Sequence, residues 1–569
     1  MEWITGLDST FTYVYQAGVR YLVPIISILL LLRCCKGLLT FRREPEIWAW
    51  LNLKDGRKLP IIHWENIIGS SGRSDVVIRA EGVLRNHCVL TRYDDGSWTV
   101  TQVDPRGEVK VNGQCADISA LLMEDIIEIG GVEMEFLPIT RTQEKSLEKS
   151  RTRGSSIFGC LCNAVLLTAL QGLICLAYLM NAEPAQMGNI SIGFAGLLVF
   201  QWALVAFYMI IGKASFELET IAFFLCTMGM TAVCAVKPWE APKQMIAVFL
   251  GIVTYLGVGW SLRDLERAKK VRYLAAVAGL GFLVITLLFG EEYHGAKNWL
   301  MIGGVSLQLS EFSKVCFVYV GASVMDRIIS KRNLILFIAY TILICACLAV
   351  MNDFGTALIF FVAFLLIAYF RSGSIGTVAL ACTSLGFAGT IAIKIAPHAL
   401  RRFASWRHIW EYPLDSGYQQ TKALMCMAAG GMFGVGAGKG WMENVFAADS
   451  DVVIATLGEE WGLAICFLLI ACVVILALFT VRTALVARSS FYIIGSCTAA
   501  GILLVQTISN ALGTVDILPL TGVTFPFVSN GGSSMIGTWG LLAFIKAADT
   551  RRRASFAVRQ SNEGGVDDE

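Results

Sequence analysis

Residues 401–451 read RRFASWRHIWEYPLDSGYQQTKALMCMAAGGMFGVGAGKGWMENVFAADSD, a polar, glycine-rich passage between apolar runs long enough to span a bilayer. Irregular backbone leaves its amides unsatisfied in hydrocarbon, so such a passage lies outside the lipid or under a cover of protein or water. A long structured connection between membrane helices is more often functional than a linker. The rest of the chain reads as what holds this loop at a membrane surface, plus one soluble module on the opposite side.

Composition supports that setting. The 569 residues are 55% hydrophobic and 16% charged, with a mean hydropathy of +0.62, where a soluble protein would be about 25% charged. Apolar runs of about 18 residues or more recur along most of the chain, as in a polytopic helical membrane protein. The net charge of +2 makes no case for nucleic acid, and none is expected as a partner. The 17 Cys show no paired CxxC spacing, and most, such as Cys160, Cys162 and Cys345, sit inside apolar runs as small hydrophobes. The five His are scattered, so no metal site is expected.

The first apolar run, Tyr21 to Leu39, has its positive charges after it (Arg42, Arg43), unlike a signal peptide. It predicts a retained anchor over 1–45 with its C-terminal end in the cytoplasm. Residues 46–140 change to short alternating runs (SDVVIRA, CVLTRY, SWTVTQV, DIIEIGG) punctuated by Gly, Asp and Asn, which indicates a small β-sandwich. A charged linker over 141–156 follows. Twelve further apolar segments are expected near 158–180, 190–211, 217–235, 243–262, 271–290, 308–326, 334–351, 355–370, 374–396, 453–481, 490–512 and 530–547. The expected architecture is therefore a polytopic α-helical membrane protein of about 13 helices with a small cytoplasmic all-β domain. Two extra helices occupy 157–212, the main membrane domain 213–548, and a basic then disordered tail 549–569. Lys and Arg concentrate in alternate loops (Arg263 to Lys270, Arg327 to Arg332, Arg551 to Arg553), which places the β module and C-terminus inside and the 397–452 loop outside.

Four passages stand out. HGAKNWLMIGGVSLQLSEFSK (294–314) leads into a helix carrying Glu311 and Lys314. NDFGT (352–356) places Asp353 between apolar runs, the long loop ends in Glu459 and Glu460, and LPLTGVTFPFVSNGGSS (518–534) includes Ser533. Ionisable groups at membrane depth are costly and mark function by default. The bland alternative for Glu311 and Lys314, three apart on one helix face, is an ion pair that fastens helices.

In order, these passages resemble the FtsW/RodA/SpoVE (SEDS) family, whose members polymerise peptidoglycan from lipid II on a ten-helix core. Its GA-x-RW, LQPSE-x-x-K and PDLGT motifs are matched at Gly295, Ala296, Trp299, Leu307, Gln308, Ser310, Glu311, Lys314, Asp353, Gly355 and Thr356. Its GYQ, GGLFGKGLG, GEE and LPVTGLPLPFISYGGSS motifs are matched at Tyr418, Gln419, Gly430, Gly431, Gly434, Gly458 to Glu460, Leu518, Pro519, Thr521, Gly522, Pro526, Phe527, Ser529 and Gly531 to Ser534. The resemblance covers about 217–548. It implies a base for the incoming sugar hydroxyl and cations for the departing diphosphate, with Lys394, Arg401, Arg402 and Lys439 as candidates. Glu311, Lys314, Asp353, Glu459 and Ser533 are further substrate-site candidates on the same grounds. Glycines around 430–440 would let backbone approach lipid and sugar, or equally let helices pack closely.

The sequence also departs from the family. The family's loop Asp precedes Pro, and here that position is Tyr412, between Glu411 and Pro413, with Asp415 two residues beyond Pro413. A phenol of pKa about 10 is a poor base at neutral pH. Either Asp415 or Glu411 has taken over, or the protein does not polymerise glycan. The family's HTDF is Asp449-Ser450-Asp451-Val452 and its SYGG is Ser529-Asn530-Gly531-Gly532.

The β module resembles a forkhead-associated (FHA) domain through Arg73, Ser74, Arg85, His87 and Asn112. The resemblance implies phosphothreonine capture, with Arg73 and Arg85 on the phosphate. The Ser of its SRxH pattern is Leu84, and its peptide-reading loop is Asp104-Pro105-Arg106-Gly107.

The resulting expectation is a SEDS-type glycosyltransferase of the bacterial cytoplasmic membrane serving division, elongation or sporulation. It would act on lipid II beside a class B penicillin-binding transpeptidase, with a phosphothreonine protein or other cytoplasmic partner at the FHA domain. No nucleotide or redox cofactor is called for, and a divalent cation stays open. Two alternatives stand beside it: a catalytically silent scaffold, and a lipid or solute transporter.

Overall fold

Polar groups that lipid cannot satisfy decide where the elements of this chain begin, break and end. The computed structural model describes residues 9–40, 46–72, 74–93, 96–140, 156–213, 215–293, 296–303, 305–325, 331–372, 405–487, 489–551 and 554–557, with isolated positions within 142–146 and 375–386. The helices are α1 (Ser9–Leu39), α2 (Ile157–Leu179), α3 (Pro184–Ile210), α4 (Glu217–Val236), α5 (Ala241–Leu262), α6 (Leu265–Phe289), α7 (Ser310–Met325), α8 (Lys331–Val350), α9 (Phe354–Ser372), α10 (Tyr418–Gly430), α11 (Val453–Trp461), α12 (Leu463–Ala484), α13 (Ser490–Thr514) and α14 (Gly532–Ala547). Among the described residues, ten helices are long and apolar enough to cross a membrane. The chain is thus a polytopic helical membrane protein. Helices α7 and α14, with 16 residues each, are shorter, and most of the span expected at 374–396 lies outside the described residues.

Two boundaries differ from expectation. Helix α1 begins well before Tyr21, because the neighbouring α2 receives its polar residues: Tyr15 donates to the Leu173 carbonyl at 3.0 Å and Gln16 to that of Ala177 at 3.4 Å. The single span expected at 453–481 is two helices, α11 and α12, broken at Gly462 (φ 86°). A Cβ there would run into the Met432 backbone. The Leu463 amide donates across the break to Gly431 at 2.9 Å. Apolar residues on both sides hid this break from hydropathy.

The β domain comprises β1 (Ala49–Leu53), β2 (Lys58–Ile61), β3 (Glu65–Gly69), β4 (Val76–Val77), β5 (Cys88–Arg92), β6 (Trp98–Gln102), β7 (Val109–Val111), β8 (Gln114–Cys115), β9 (Ile118–Leu121), β10 (Ile126–Ile129) and β11 (Val132–Pro138). Two sheets, ordered β2-β1-β11-β10-β7-β8 and β4-β3-β5-β6-β9, enclose a core in which Trp98 meets Phe136 edge-on at 5.3 Å. Alternating burial, as in β1 and β7, explains the period-two pattern of the sequence. A small antiparallel sheet of β12 (Glu291–Tyr293), β13 (Ala296–Ile302) and β14 (Val305–Leu307) precedes α7.

Within the bundle α4 is the central helix, its span 89% buried against 22% for α6 and α8. At the end facing the β domain, α4 brings two carboxylates into the interior. Glu219, fully buried, pairs with Lys546 of α14 at 3.1 Å and accepts bonds from Tyr208 of α3 (2.5 Å) and Tyr255 of α5. Glu217 lies 3.6 Å from Arg551, which also holds Asp549 at 2.8 Å and donates to the Gly37 carbonyl of α1 at 2.8 Å. Any Cβ on Gly37 would fall 2.6 Å from Glu217 Oε1, so that glycine lets α1 reach the network. At the same end Arg482 donates to the Leu39 carbonyl, and His63 Nδ1 lies 3.0 Å from the Ala487 carbonyl, joining the β2–β3 turn to the α12–α13 connection.

Removing one partner of a buried ion pair strands the other charge, at a cost of about 3–5 kcal/mol. Lys546→Met is expected to lower the thermal midpoint of the detergent-solubilised protein sharply, and adding Glu219→Gln to recover most of the loss. A single variant as stable as wild type would refute this account of the network.

Candidate functional site

The four passages singled out in the sequence meet at the opposite end of the bundle, linked by hydrogen bonds. Asp353 caps α9 by accepting the Thr356 amide at 3.1 Å. Its other oxygen accepts from Asn298 of β13 at 3.3 Å and from Gln308 at 3.2 Å. The Gln308 amide in turn donates to Ser533 Oγ, near the start of α14, at 2.9 Å. Passages 294–314 and 352–356 are therefore joined through one buried carboxylate, and 294–314 is joined to 518–534 through the Gln308 backbone amide. One turn into α7, Glu311 and Lys314 pair at 2.6 Å, both almost fully buried. Gly537 of α14 lies against the Glu311 carbonyl, so that a Cβ there would be 3.0 Å from it. This pair is sealed between helices and faces itself.

The loop residues form a second group. Asp449, 1% exposed, is held by Lys237 at 3.1 Å and by Asn530 Nδ2 at 2.7 Å, while the Asn530 amide donates to the Asp449 carbonyl. Asn530 Nδ2 also lies 2.7 Å from Glu240. Glu459 accepts the Met442 amide at 2.9 Å. Glu460 accepts the amides of Gly438 (3.1 Å) and Gly440 (3.4 Å) and the Tyr178 hydroxyl of α2. The glycine-rich loop is thus wrapped around an internal carboxylate. Gly434 takes φ 78° where a Cβ would run into the Glu460 carbonyl, and Gly430 packs against the Gly458 and Glu459 backbone.

The candidate acids lie apart from these buried groups. Glu411, Tyr412 and Asp415 are all exposed in a run of turns. Glu411 bonds His408 at 3.1 Å, whereas no hydrogen bond or ion pair from a described residue engages the Asp415 carboxylate. This segment is braced from below: the Arg407 amide donates to Asp516 at 3.2 Å and the Trp406 indole to the Ile517 carbonyl at 3.1 Å. Lys439 is exposed; Lys394, Arg401 and Arg402 lie outside the described residues. The sequence reading missed Lys237, Glu240, Asn530 and Tyr178 as contributors. Lys237, a cation directly after an apolar run, was a usable signal, whereas Tyr178 offered none.

On the β domain, His87 is buried and fixes two loops, accepting the Leu84 amide at 3.1 Å and contacting the Glu108 carbonyl at 3.0 Å. Ser74 donates to the Arg85 carbonyl at 3.1 Å. Asn112 (φ 51°) ties the β7–β8 turn to Asp125 and the Ile126 amide. His87, Ser74 and Asn112 therefore shape the loops, while Arg85 is exposed; Arg73 lies outside the described residues. In the neighbouring loop Arg106 is engaged by Asp104 at 2.7 and 3.0 Å, and this pairing holds the Asp104 carboxyl down at about 2.

The FtsW/RodA/SpoVE cell cycle protein model matches residues 220–554, more than half of the chain. The chain belongs to this family. An FHA domain model matches residues 66–130. The peptidoglycan glycosyltransferase RodA of Mycobacterium tuberculosis is 28% identical over 349 residues, 58% of this chain and 74% of that protein. The probable peptidoglycan glycosyltransferase FtsW of Tolumonas auensis is 30% identical over 356 residues, 59% and 92% of the two chains. A chain from a solved peptidoglycan synthase complex that coordinates polymerization and crosslinking has the same fold, with TM-score 0.50, 22% identity and coverage of 58% and 96%. In this FtsW/RodA/SpoVE protein, α1 to α3 and the β domain lie outside the family match, yet Tyr178 reaches into the family's glycine-rich loop.

The loop's wrapping makes a graded expectation. Gly431→Ala, at φ 55° and ψ −144° with open space, should cost only the backbone strain of that glycine-favoured conformation, about 1–3 kcal/mol. Gly434→Ala adds a backbone collision, worth about 1–3 kcal/mol more. Equal thermal midpoints for the two variants would contradict this packing.

Proposed function

We propose that this FtsW/RodA/SpoVE protein is a peptidoglycan glycosyltransferase that extends glycan from lipid II at the outer face of the bacterial cytoplasmic membrane. The observation that carries the reading is the convergence of the family's motif residues on one end of the bundle, bonded through Asp353, Gln308 and Ser533. The Lys and Arg distribution supports an outside position for this end and a cytoplasmic position for the β domain and C-terminus. Within the loop, Asp415 is the general base, because its carboxylate is exposed and unengaged while Glu411 is occupied by His408. A deprotonated sugar hydroxyl then displaces the lipid diphosphate, whose charge needs cations; Lys439, Arg401 and Arg402 belong to the same loop. A class B penicillin-binding transpeptidase fits as partner, since the matched fold comes from a complex named for coordinating polymerization with crosslinking.

A second reading is favoured by one specific observation. Tyr412 occupies the position of the family's loop Asp, and a phenol is protonated at neutral pH. On that reading the protein scaffolds cell-wall synthesis, and Ser/Thr kinase signals reach it through the FHA domain.

Glycan polymerisation on labelled lipid II, with the partner transpeptidase inactivated, separates the two. Wild type is expected to make long strands, Asp415→Ala to lose at least about 100-fold in rate, and Glu411→Ala to stay within about threefold. Lipid II binding without strands would establish the scaffold. Equal loss in both variants would remove Asp415 from the base role. For the β domain, Arg85→Ala in the full chain should weaken a phosphothreonine peptide about tenfold or more, as loss of a charge-assisted bond predicts. Calorimetric titration against the unphosphorylated peptide is the check.

A further inference from the structure

At the loop end of the bundle, Arg20 and Lys439 are cations that make no ion pair with a described residue. Arg20 belongs to α1, outside the family match, and its Nε is buried with no hydrogen-bond partner. Lys439 is exposed and engaged in no ion pair with a described residue. Gly436 stands between them: a Cβ there would lie 3.8 Å from Cδ of Arg20 and 3.8 Å from Cδ of Lys439, so both stems pass over one glycine. Its φ of 112° is a conformation that L residues rarely adopt. Gln16, one turn earlier on α1 and 5% exposed, has Oε1 unpartnered 3.9 Å from the same point. Asn181, between α2 and α3, secures the loop by donating to the Ala437 carbonyl at 2.6 Å.

We propose that Arg20 and Lys439 form a two-cation clamp for a lipid-borne phosphate, in which a helix foreign to the family core completes the glycine-rich loop. The backbone amides of Gly436, Gly438 and Gly440 are committed to Glu460, so anion recognition here falls to side chains. Two like charges over one glycine repel each other and are relieved by a ligand of one or more negative charges. Arginine's planar fork matches phosphate, and an unpaired arginine at the membrane edge is otherwise costly. Depth selects a lipid ligand. Arg20 lies within the membrane-spanning helix α1, and the neighbouring Tyr21 ring meets Phe433 at 5.0 Å, an aromatic contact suited to the headgroup level. The phosphate belongs either to a polyprenyl diphosphate or to a phospholipid headgroup. The first source rests on the glycosyltransferase reading; the second does not.

The test uses the full chain in phosphatidylcholine nanodiscs, with native mass spectrometry after titration of undecaprenyl diphosphate or phosphatidylglycerol. Arg20→Gln is expected to reduce retention of undecaprenyl diphosphate about tenfold, with Arg20→Lys staying within about threefold of wild type. Lys439→Gln, on an exposed side chain, carries the same expectation and serves if Arg20→Gln folds poorly. Loss of phosphatidylglycerol alone would support the clamp as a phospholipid site and leave the polymerase reading to its own assay. Unchanged retention of both lipids in Lys439→Gln and in folded Arg20→Gln would overturn the proposal.

Discussion

Glu460 is a buried carboxylate stabilised by neutral donors, and the loop end of the molecule is arranged around it. Its oxygens accept two glycine amides and the hydroxyl of Tyr178. No ion pair with a described residue neutralises it, so these bonds carry the cost of desolvating the charge or retaining its proton. Two amides from one short segment can reach a single carboxylate only if the backbone doubles back, which is why Gly434, Gly436 and Gly438 all take positive φ. The same carboxylate draws in α2 through Tyr178, and α2 brings Asn181 onto the Ala437 carbonyl. Helices outside the family core are thereby built into the loop that carries the proposed chemistry.

What could be read in advance was what a single residue declares by itself. A carboxylate in an apolar run is conspicuous, so Asp353, Glu311 and Glu459 were identifiable, as was the β domain from its period-two runs. Pairings were not legible, because partners lie hundreds of positions apart: Glu219 and Lys546 are both fully buried, yet neither run shows which helix faces the other. The break at Gly462 was invisible because hydropathy is high on both sides and glycine in a membrane run is unremarkable. The early start of α1 failed for the converse reason. Tyr15 and Gln16 look like loop residues until α2 supplies their acceptors. Ion-pair reasoning for Glu311 and Lys314 anticipated the contact itself, which lies buried within α7 where α14 packs against it.

Helix α13 connects the two ends in one rigid element. Just before its start, the Ala487 carbonyl meets His63 of the β domain; just after its end, Asp516 and the Ile517 carbonyl brace the segment that carries Glu411, Tyr412 and Asp415. An α-helix transmits displacement along its axis with little compression, since each turn is hydrogen-bonded to the next. If a partner shifts the β domain, α13 is the element that meets both the contact it shifts and the turns that hold the candidate base. The buried Glu219 network works against such motion at the β-domain end, because it fixes α3, α4, α5 and α14 to one another.

The departures from the family motifs bear on whether this site is maintained. Asp449 and Asn530, which, as the motifs read in the sequence, stand at the His of HTDF and the Tyr of SYGG, bond each other twice, side chain to side chain and amide to carbonyl. Lys237 balances the Asp449 charge, and Glu240 occupies the remaining reach of the Asn530 amide. Loss of function relaxes positions independently, and a buried carboxylate appearing alone would strand an uncompensated charge worth several kcal/mol. The two carboxylates Asp449 and Glu240, the cation Lys237 and the amide of Asn530 thus form one bonded cluster. The Tyr412 replacement is of another kind. It lies on an exposed turn, and the exposed carboxylate of Asp415 follows three residues later in the same run of turns.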